Sequence, residues 1–432
     1  DWSSDVCSSD LLWIEDGIPL MTHAAVAVTW RRDVGVIGLV STCHASSHFS
    51  HLLLPLMFPF FVRDLGLSYA GLGGVMSLFF AVSFCAQTVS GFAVDRYGAR
   101  RILFASQILM ALACLWLSQA QNLTGLMLGA AVLGIGNGVY HPVDYSVLNR
   151  QVQPIRLGHA YSVHNLSGTL GWALAPPFMV GLSSLWGWQM AYIGAAMVYL
   201  VLLAVCAWRS PWLETRQTHN PQAASTSSVN QLNLWGLLRL PAVVWSFVFL
   251  FCMTMTYSVV QNFLVTILQK VHGLGLVSAN LTLTAYLLTA AVGNLLGGFV
   301  MSRWGAHADR IVAWCMGLAA AWMLISATGW LGPWGTPLSL TLTALAVGMG
   351  APARDLMIKQ ATPVGATGRV YGLVFAGLDV GSATSPLIFG PLMDHGFYGL
   401  TLAGAAFSLL CGGLVSMALA KNLSPRTTPF QT

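Results

Sequence analysis

The chain has 432 residues, 56% of them hydrophobic and only 8% charged, with a mean hydropathy of +0.69 and a formal net charge of +5. Soluble domains carry about 25% charged residues, so a soluble globular fold, which must cover its surface with polar groups, is excluded. The eight cysteines form no C-x-x-C pair and lie mostly in apolar runs, where they read as small packing residues and not as a disulfide or zinc framework.

Residues 1–20 are set apart. The first eleven, DWSSDVCSSDL, read like a translated sequencing adapter, and Met21 is the expected start. Without Asp1, Asp5, Asp10, Glu15 and Asp16 the chain is more basic still, which is a topology signal and not a nucleic-acid signal.

A spanning helix needs about 20 apolar residues. Twelve candidates follow in order: 34–61, 70–91, 101–120, 124–148, 159–182, 188–208, 243–269, 277–301, 309–331, 336–358, 369–392 and 397–420. The polar interval between spans 6 and 7 is rich in Ser, Thr, Asn, Gln and Pro and reads as a flexible linker. The expected organisation is a six-helix bundle over 21–208, a cytoplasmic linker over 209–241, a second six-helix bundle over 242–420, and a cytoplasmic tail over 421–432. Orientation comes from Lys and Arg, which favour the cytoplasmic side. With both termini in the cytoplasm, only Arg63 and Lys270 of the nineteen Lys and Arg residues fall outside.

The chain is internally duplicated. Gly91-Phe92-Ala93-Val94-Asp95-Arg96-Tyr97-Gly98-Ala99-Arg100-Arg101 follows span 2, and Gly298-Phe299-Val300-Met301-Ser302-Arg303-Trp304-Gly305-Ala306 follows span 8. Gly158, Tyr161, Gly171, Ala173 and Pro176 of span 5 recur as Gly368, Tyr371, Gly381, Ala383 and Pro386 of span 11. Two copies of one membrane unit are how many secondary transporters are built. Positions shared by the halves are scaffold; polar positions found in one half only are the candidates for chemistry.

Ionisable residues inside spans are functional candidates, because a carboxylate at the bilayer centre costs about 2.5–3.5 kcal/mol. Asp144, Asp355 and Asp379 qualify. Asp379 is about ten residues into span 11, roughly 15 Å deep, where its counterpart in span 5 is Thr169. Gly377 and Gly381 beside it leave room for water or substrate. It is a candidate for binding protons or pairing with substrate; the alternative is a hydrogen bond that holds the bundle together. Arg354 and Asp355 follow Gly348-x-Gly350-x-Pro352 in span 10, either as an anion site or as a pair at the cytoplasmic end.

His44, His48 and His51 share one face of span 1. They are read as cavity lining or a proton relay, as packing residues, or as ligands of a transition metal; no second ligand cluster supports the metal, and no metal site is expected. His141 and Asp144 lie in span 4 around Pro142. His141 faces the cavity or ties span 4 to span 1, and Asp144 is a proton site or pairs with Arg150 or another cytoplasmic arginine, the pairing being favoured. His164 and Asn165 in span 5, and Gln261 and Asn262 in span 7, are uncharged candidates for substrate contact or interhelical hydrogen bonding.

The paired signature resembles the loop 2–3 motif of the Major Facilitator Superfamily, and the resemblance extends over about 34–420. It implies an all-α fold of two pseudo-symmetric six-helix bundles that rock about a central cavity. It also implies a conformational gate at Gly91, Asp95, Arg96, Gly98, Arg100 and Arg101, with Asp95 latching the halves, and at Gly298, Arg303 and Gly305, where Ser302 replaces the acid. The arginine that proton antiporters of the superfamily carry in span 4 falls at Ala130. Their span 5 motif is matched in part by Gly171-x3-Ala175-Pro176. His44, Pro55, Pro59 and Tyr140-His141-Pro142 resemble the fosmidomycin-resistance branch in part.

These readings give a secondary transporter of the plasma (inner) membrane, monomeric, in contact with lipid, protons and a small-molecule substrate but not with nucleic acid. Proton-coupled export of a small polar or amphiphilic compound is favoured. Uptake of an organic anion by symport or exchange, and a non-transporting membrane sensor, are the alternatives. There is no G-x4-G-K-[ST] loop and no nucleophile–base constellation, so neither a cofactor nor an enzyme activity is expected.

Overall fold

The computed structural model describes residues 12–13, 19–20, 23–215, 239–304, 307–361 and 367–421. Gly305 of the second signature, most of the expected linker (216–238) and the tail beyond Lys421 lie outside the described residues. Leu12–Trp13 and Pro19–Leu20 pair as a two-stranded antiparallel ladder; the rest of the fold is helical.

Among the described residues twelve helical rods follow the expected order. Span 1 runs from His23 to Leu65 as two helices, His23–Leu53 and Phe58–Leu65, joined by a 3-10 turn over Pro55–Met57. Pro55 and Pro59 explain the break: each lacks the N–H for an i to i−4 bond, and each ring crowds the preceding turn. Span 4 is also divided, into Leu123–Asn137 and Tyr140–Gln151. Pro142 crowds the carbonyl of Gly138, which lies at the interruption. Spans 2, 3, 5 and 6 are Tyr69–Tyr97, Ala99–Leu117, Leu157–Trp186 and Trp188–Trp208. Spans 7 to 12 are Pro241–His272, Leu276–Trp304, Ala308–Ala327, Gly332–Ala361, Thr367–Asp394 and Tyr398–Lys421. Span 9 stops at Ala327, short of its expected end, because Gly329 and Gly332 take positive φ (74° and 67°) and turn the chain.

Among the described residues eleven of these rods are long and apolar enough to cross a membrane by length and composition. Span 5 is the exception: it is long enough and carries no Asp, Glu, Lys or Arg, but its polar residues, His164 and Asn165 among them, lower its hydropathy. The polypeptide is an all-α integral membrane protein.

The packing repeats between halves. Span 1 lies on span 5, span 2 on span 4, and span 3 on spans 4 and 6; span 7 lies on span 11, span 8 on span 10, and span 9 on spans 10 and 12. The repeated glycine serves the same contact twice. A Cβ on Gly171 would sit 2.0 Å from the Ala45 carbonyl oxygen of span 1, and one on Gly381 would sit 2.8 Å from that of Phe251 in span 7. Small residues let membrane helices approach this closely. Gly377 is used likewise, 2.5 Å from the Phe247 oxygen. The room expected beside Asp379 is therefore filled by the backbone of span 7.

The halves meet through spans 2 and 11, spans 5 and 8, and spans 1 and 7. The contacts between spans 2 and 11 gather at one end. Ser77 Oγ donates to Ala383 O (2.6 Å), Gly73 abuts Pro386, and Gly390 abuts Tyr69. At the rim, Asp394 of span 11 accepts from the backbone N–H groups of Tyr69 (2.6 Å) and Ala70 (2.8 Å), the first residues of span 2. A carboxylate there satisfies orphan helix donors and meets the positive end of the helix dipole.

At the opposite face, that of loop 2–3, no side-chain hydrogen bond or ion pair joins the halves among the described residues. Phe92 and Phe299, equivalent residues of the two signatures, are 78% and 75% exposed. Asp95, expected to latch the halves, is 77% exposed, and among the described residues its ion-pair partner is Arg150 of its own half, at 4.0 Å. Gly98 makes the turn after span 2 with φ 85°, and Arg96 lies over the Tyr97 ring. Arg100 pairs with Glu214 (3.2 Å), while Thr215 Oγ accepts from Ala99 N. Arg101, Gly298 and Arg303 are exposed, and no Cβ contact limits Gly91 or Gly298. Among the described residues, the side-chain bonds named between spans 2 and 11 lie at the loop 1–2 face, and the loop 2–3 face lacks a counterpart.

Hydrogen bonds to a charged group are worth about 1.5–3 kcal/mol each. Asp394→Ala is therefore expected to shift the conformational equilibrium at least about tenfold toward states parted at the loop 1–2 face. Spin labels placed in loops 1–2 and 11–12 would show a larger long-distance population. An unchanged distance distribution would mean that these bonds do not hold the face closed.

Candidate functional site

The interruption of span 4 matters to the site. It starts a new helix at Tyr140, and His141 and Asp144, three residues apart, turn toward spans 1 and 5. Asp144 is only 1% exposed, and its Oδ2 lies 3.1 Å from His44 Nδ1 of span 1 and 3.1 Å from His164 Nε2 of span 5. The His44 and His164 rings stack with centroids 3.7 Å apart. His141 and His48 stand 5.1 and 4.6 Å from His44. His51 follows His48 at 5.2 Å. Five imidazoles from three spans thus form one cluster beside this carboxylate.

Asp144 does not make the pairing with Arg150 expected from the sequence. Arg150 instead donates to the Thr215 carbonyl and approaches Asp95. The Asp144 carboxylate points inward because two imidazoles meet it there, and a buried carboxylate needs such partners. Its second oxygen, Oδ1, is buried without a hydrogen-bond partner, as are His164 Nδ1 and His48 Nδ1.

A serine-rich lattice holds the histidines. Ser47 and Ser50 donate to Asn137 Oδ1 (2.6 and 3.2 Å), and Asn137 Nδ2 donates to Ser83 Oγ of span 2 (2.9 Å). Ser46 contacts the Tyr140 hydroxyl, and Tyr199 donates to the Ser46 carbonyl. Trp172 of span 5 packs on His48 at 4.4 Å and donates from Nε1 to His51 Nδ1 (3.2 Å). Asn137, Trp172 and these serines are not among the residues that the sequence singles out. The alternation of Ser and His over 46–51 is the signal that points to them, since polar residues this dense within a span need partners.

Other candidates fall elsewhere. Asn165 is exposed and turned away from His164. Asn262 donates to Ser258 of its own helix (2.7 Å to O), a packing role. Gln261 is buried, with Nε2 unpartnered. Arg354 donates from Nε to Asp355 Oδ1 (2.9 Å), so these neighbours do pair. Asp379 is half-buried and makes no hydrogen bond or ion pair among the described residues. Trp172 reaches the second half at Tyr257, 6.3 Å between centroids.

The exposed members of the cluster are His141 and Tyr145, whereas His44 and His164 are sealed, 2% and 0% exposed. The arrangement has two chemical capacities. It can pass a proton between Asp144 and either imidazole, and it can gather nitrogen lone pairs about a cation.

The sequence profile of the Major Facilitator Superfamily matches residues 40–340, which takes in the histidine cluster. The chain belongs to the Major Facilitator Superfamily. It is similar to the fosmidomycin resistance protein of Escherichia coli K12, 23% identical over 405 residues that make up 92% of this chain and 95% of that one. It is also similar to the purine ribonucleoside efflux pump NepI of Shigella sonnei, 26% identical over 77% of this chain and 84% of that one. Among solved structures, a bacterial homolog of the lysosomal transporter Spinster, inward-facing and unoccupied, has a TM-score of 0.76 at 14% identity, over 91% of this chain and 99% of that one. The nucleoside transporter NupG, in a mutant form, has a TM-score of 0.71 at 14% identity, over 88% of this chain and 99% of that one. This superfamily is one of transporters, not an enzyme class.

Span 5 is fitted to span 1 at two glycines of different tolerance. A Cβ on Gly168 would meet the His48 ring at 2.7 Å, a side chain able to turn, while on Gly171 it would meet the Ala45 backbone at 2.0 Å. Overpacking costs about 1–3 kcal/mol. Gly168→Ala is expected to lower the thermal unfolding temperature modestly, and Gly171→Ala to lower it more or to prevent accumulation. Equal stability of the two variants would contradict this fit.

Proposed function

We propose that this superfamily member exports a small polar or amphiphilic solute from the cytoplasm across the plasma (inner) membrane, by alternating access and at the expense of the proton gradient. The observation that carries the coupling is Asp379. It lies deep in span 11, half-buried, without a hydrogen bond or ion pair among the described residues. A lone carboxylate is costly in an apolar bundle, so a proton or a cationic group of the solute is its natural partner at each stage of the cycle. Each proton moving inward supplies about 2.3 kcal/mol per 100 mV of membrane potential.

Sidedness rests on the charge distribution, and direction on the relatives. Lys and Arg crowd the loop 2–3 face, which the positive-inside rule assigns to the cytoplasm, and that is the face on which no side-chain hydrogen bond or ion pair joins the halves among the described residues. A solute entering there passes the exposed His141 and Tyr145. The named relatives that export or confer resistance agree with this direction. Uptake of an organic anion through Arg354 has less support, because Asp355 already engages that guanidinium.

In energised vesicles Asp379→Asn is expected to abolish concentrative export while leaving membrane insertion in place. Wild-type flux in this variant would overturn the coupling role.

A further inference from the structure

We propose that His44, His141 and His164 form a binding site for a divalent transition cation of the zinc, cobalt or nickel class, with Asp144 orienting the imidazoles. One nitrogen from each of the three rings lies within 4.8 Å of the others. Tetrahedral zinc, with bonds of about 2.0–2.1 Å, holds its donors roughly 3.3 Å apart. Binding would require the side chains to rotate, drawing the nitrogens together and turning the stacked His44 and His164 rings until their lone pairs converge.

The surroundings are those of a metal site. A ligating imidazole commonly donates its other ring N–H to a carboxylate, which fixes the tautomer and raises the basicity of the ligating nitrogen. Asp144 Oδ2 is placed to accept from His44 Nδ1 and from His164 Nε2, each at 3.1 Å. The remaining nitrogen of each ring then carries the lone pair. On His164 that nitrogen is Nδ1, buried and without a partner, and His48 Nδ1 nearby is also buried and unpartnered. These orphaned atoms are what a cation would satisfy.

The donor set decides the class of ion. Imidazole nitrogen suits zinc, cobalt, nickel and copper, whereas magnesium and calcium require oxygen donors. Three protein donors leave a fourth position open to water or another small ligand. The exposed edge of His141 supplies the way in. One ligand comes from each of spans 1, 4 and 5, so the site exists only in the packed half. In the sequence, the histidines one turn apart on span 1 are the only suggestion of a metal. The structure adds His141 and His164 from two other spans, and leaves His48 as a neighbour of the set. Asp379 takes no part in it, so binding here stands or falls separately from proton-coupled export.

The test is a cobalt(II) titration of the purified full-length protein in detergent, followed by its visible absorption. The expected result is one saturable site per chain, with the bands of tetrahedral nitrogen and oxygen coordination, no thiolate charge-transfer band, and displacement by zinc. His141→Ala alters an exposed side chain and is expected to weaken binding at least about tenfold, and Asp144→Asn by about 10–100-fold. His395→Ala, at the far end of span 11, is expected to bind as wild type. If Asp144→Asn fails to fold, His141→Ala decides. Absence of a saturable site, wild-type affinity in His141→Ala, loss of binding in His395→Ala, or a thiolate band pointing to the cysteines would each overturn the proposal.

Discussion

A carboxylate sealed inside a bundle of apolar helices must be met by donors, and the first half of this protein is arranged around that requirement. Asp144 can be buried only because span 4 breaks ahead of Pro142, span 1 brings His44, and span 5 brings His164. His164 is brought there with span 5, which Gly171 lets lie against the backbone of span 1. Removing either imidazole leaves this buried carboxyl group one partner short, and an unsatisfied buried polar group costs about 1–3 kcal/mol.

The two halves share their scaffold and divide their chemistry. Gly171 and Gly381 make the same close approach, and the helix pairings repeat in order. The first half holds the histidine cluster. The second half holds Asp379 and the Arg354–Asp355 pair, and Trp172 against Tyr257 is where the polar regions of the two come near each other. The interface combines a bonded end, built on Ser77, Pro386 and Asp394, with one at Phe92 and Phe299 that lacks such side-chain bonds among the described residues. That asymmetry is what a rocking mechanism needs: bonds that hold one face shut and can be exchanged for bonds at the other.

The architecture is legible in the sequence because hydropathy, the Lys and Arg distribution and the duplicated signature all report on backbone-scale features. Twelve helices follow from them, with ends shifted by a few residues where glycines such as Gly329 turn the chain. The histidines of span 1 are legible as one helix face. Their partners are not, because pairing among spans 1, 4 and 5 is a tertiary fact that no local pattern encodes. For the same reason the sequence points Asp144 to a nearby arginine, when the imidazoles that reach it lie 100 and 20 residues away. Gly377 and Gly381 read as space beside Asp379; a glycine in a membrane helix marks close approach as readily as emptiness, and only the position of span 7 distinguishes the two.

The central claim is that solute movement is tied to proton movement. The most direct measurement is substrate-induced proton flux in proteoliposomes of the wild-type protein, across a panel of anionic and cationic small molecules. The account predicts that at least one compound moves protons in the opposite direction to itself, and that collapsing the proton gradient stops its accumulation. Solute flux with no accompanying proton movement would contradict it and make the protein a uniporter or an exchanger.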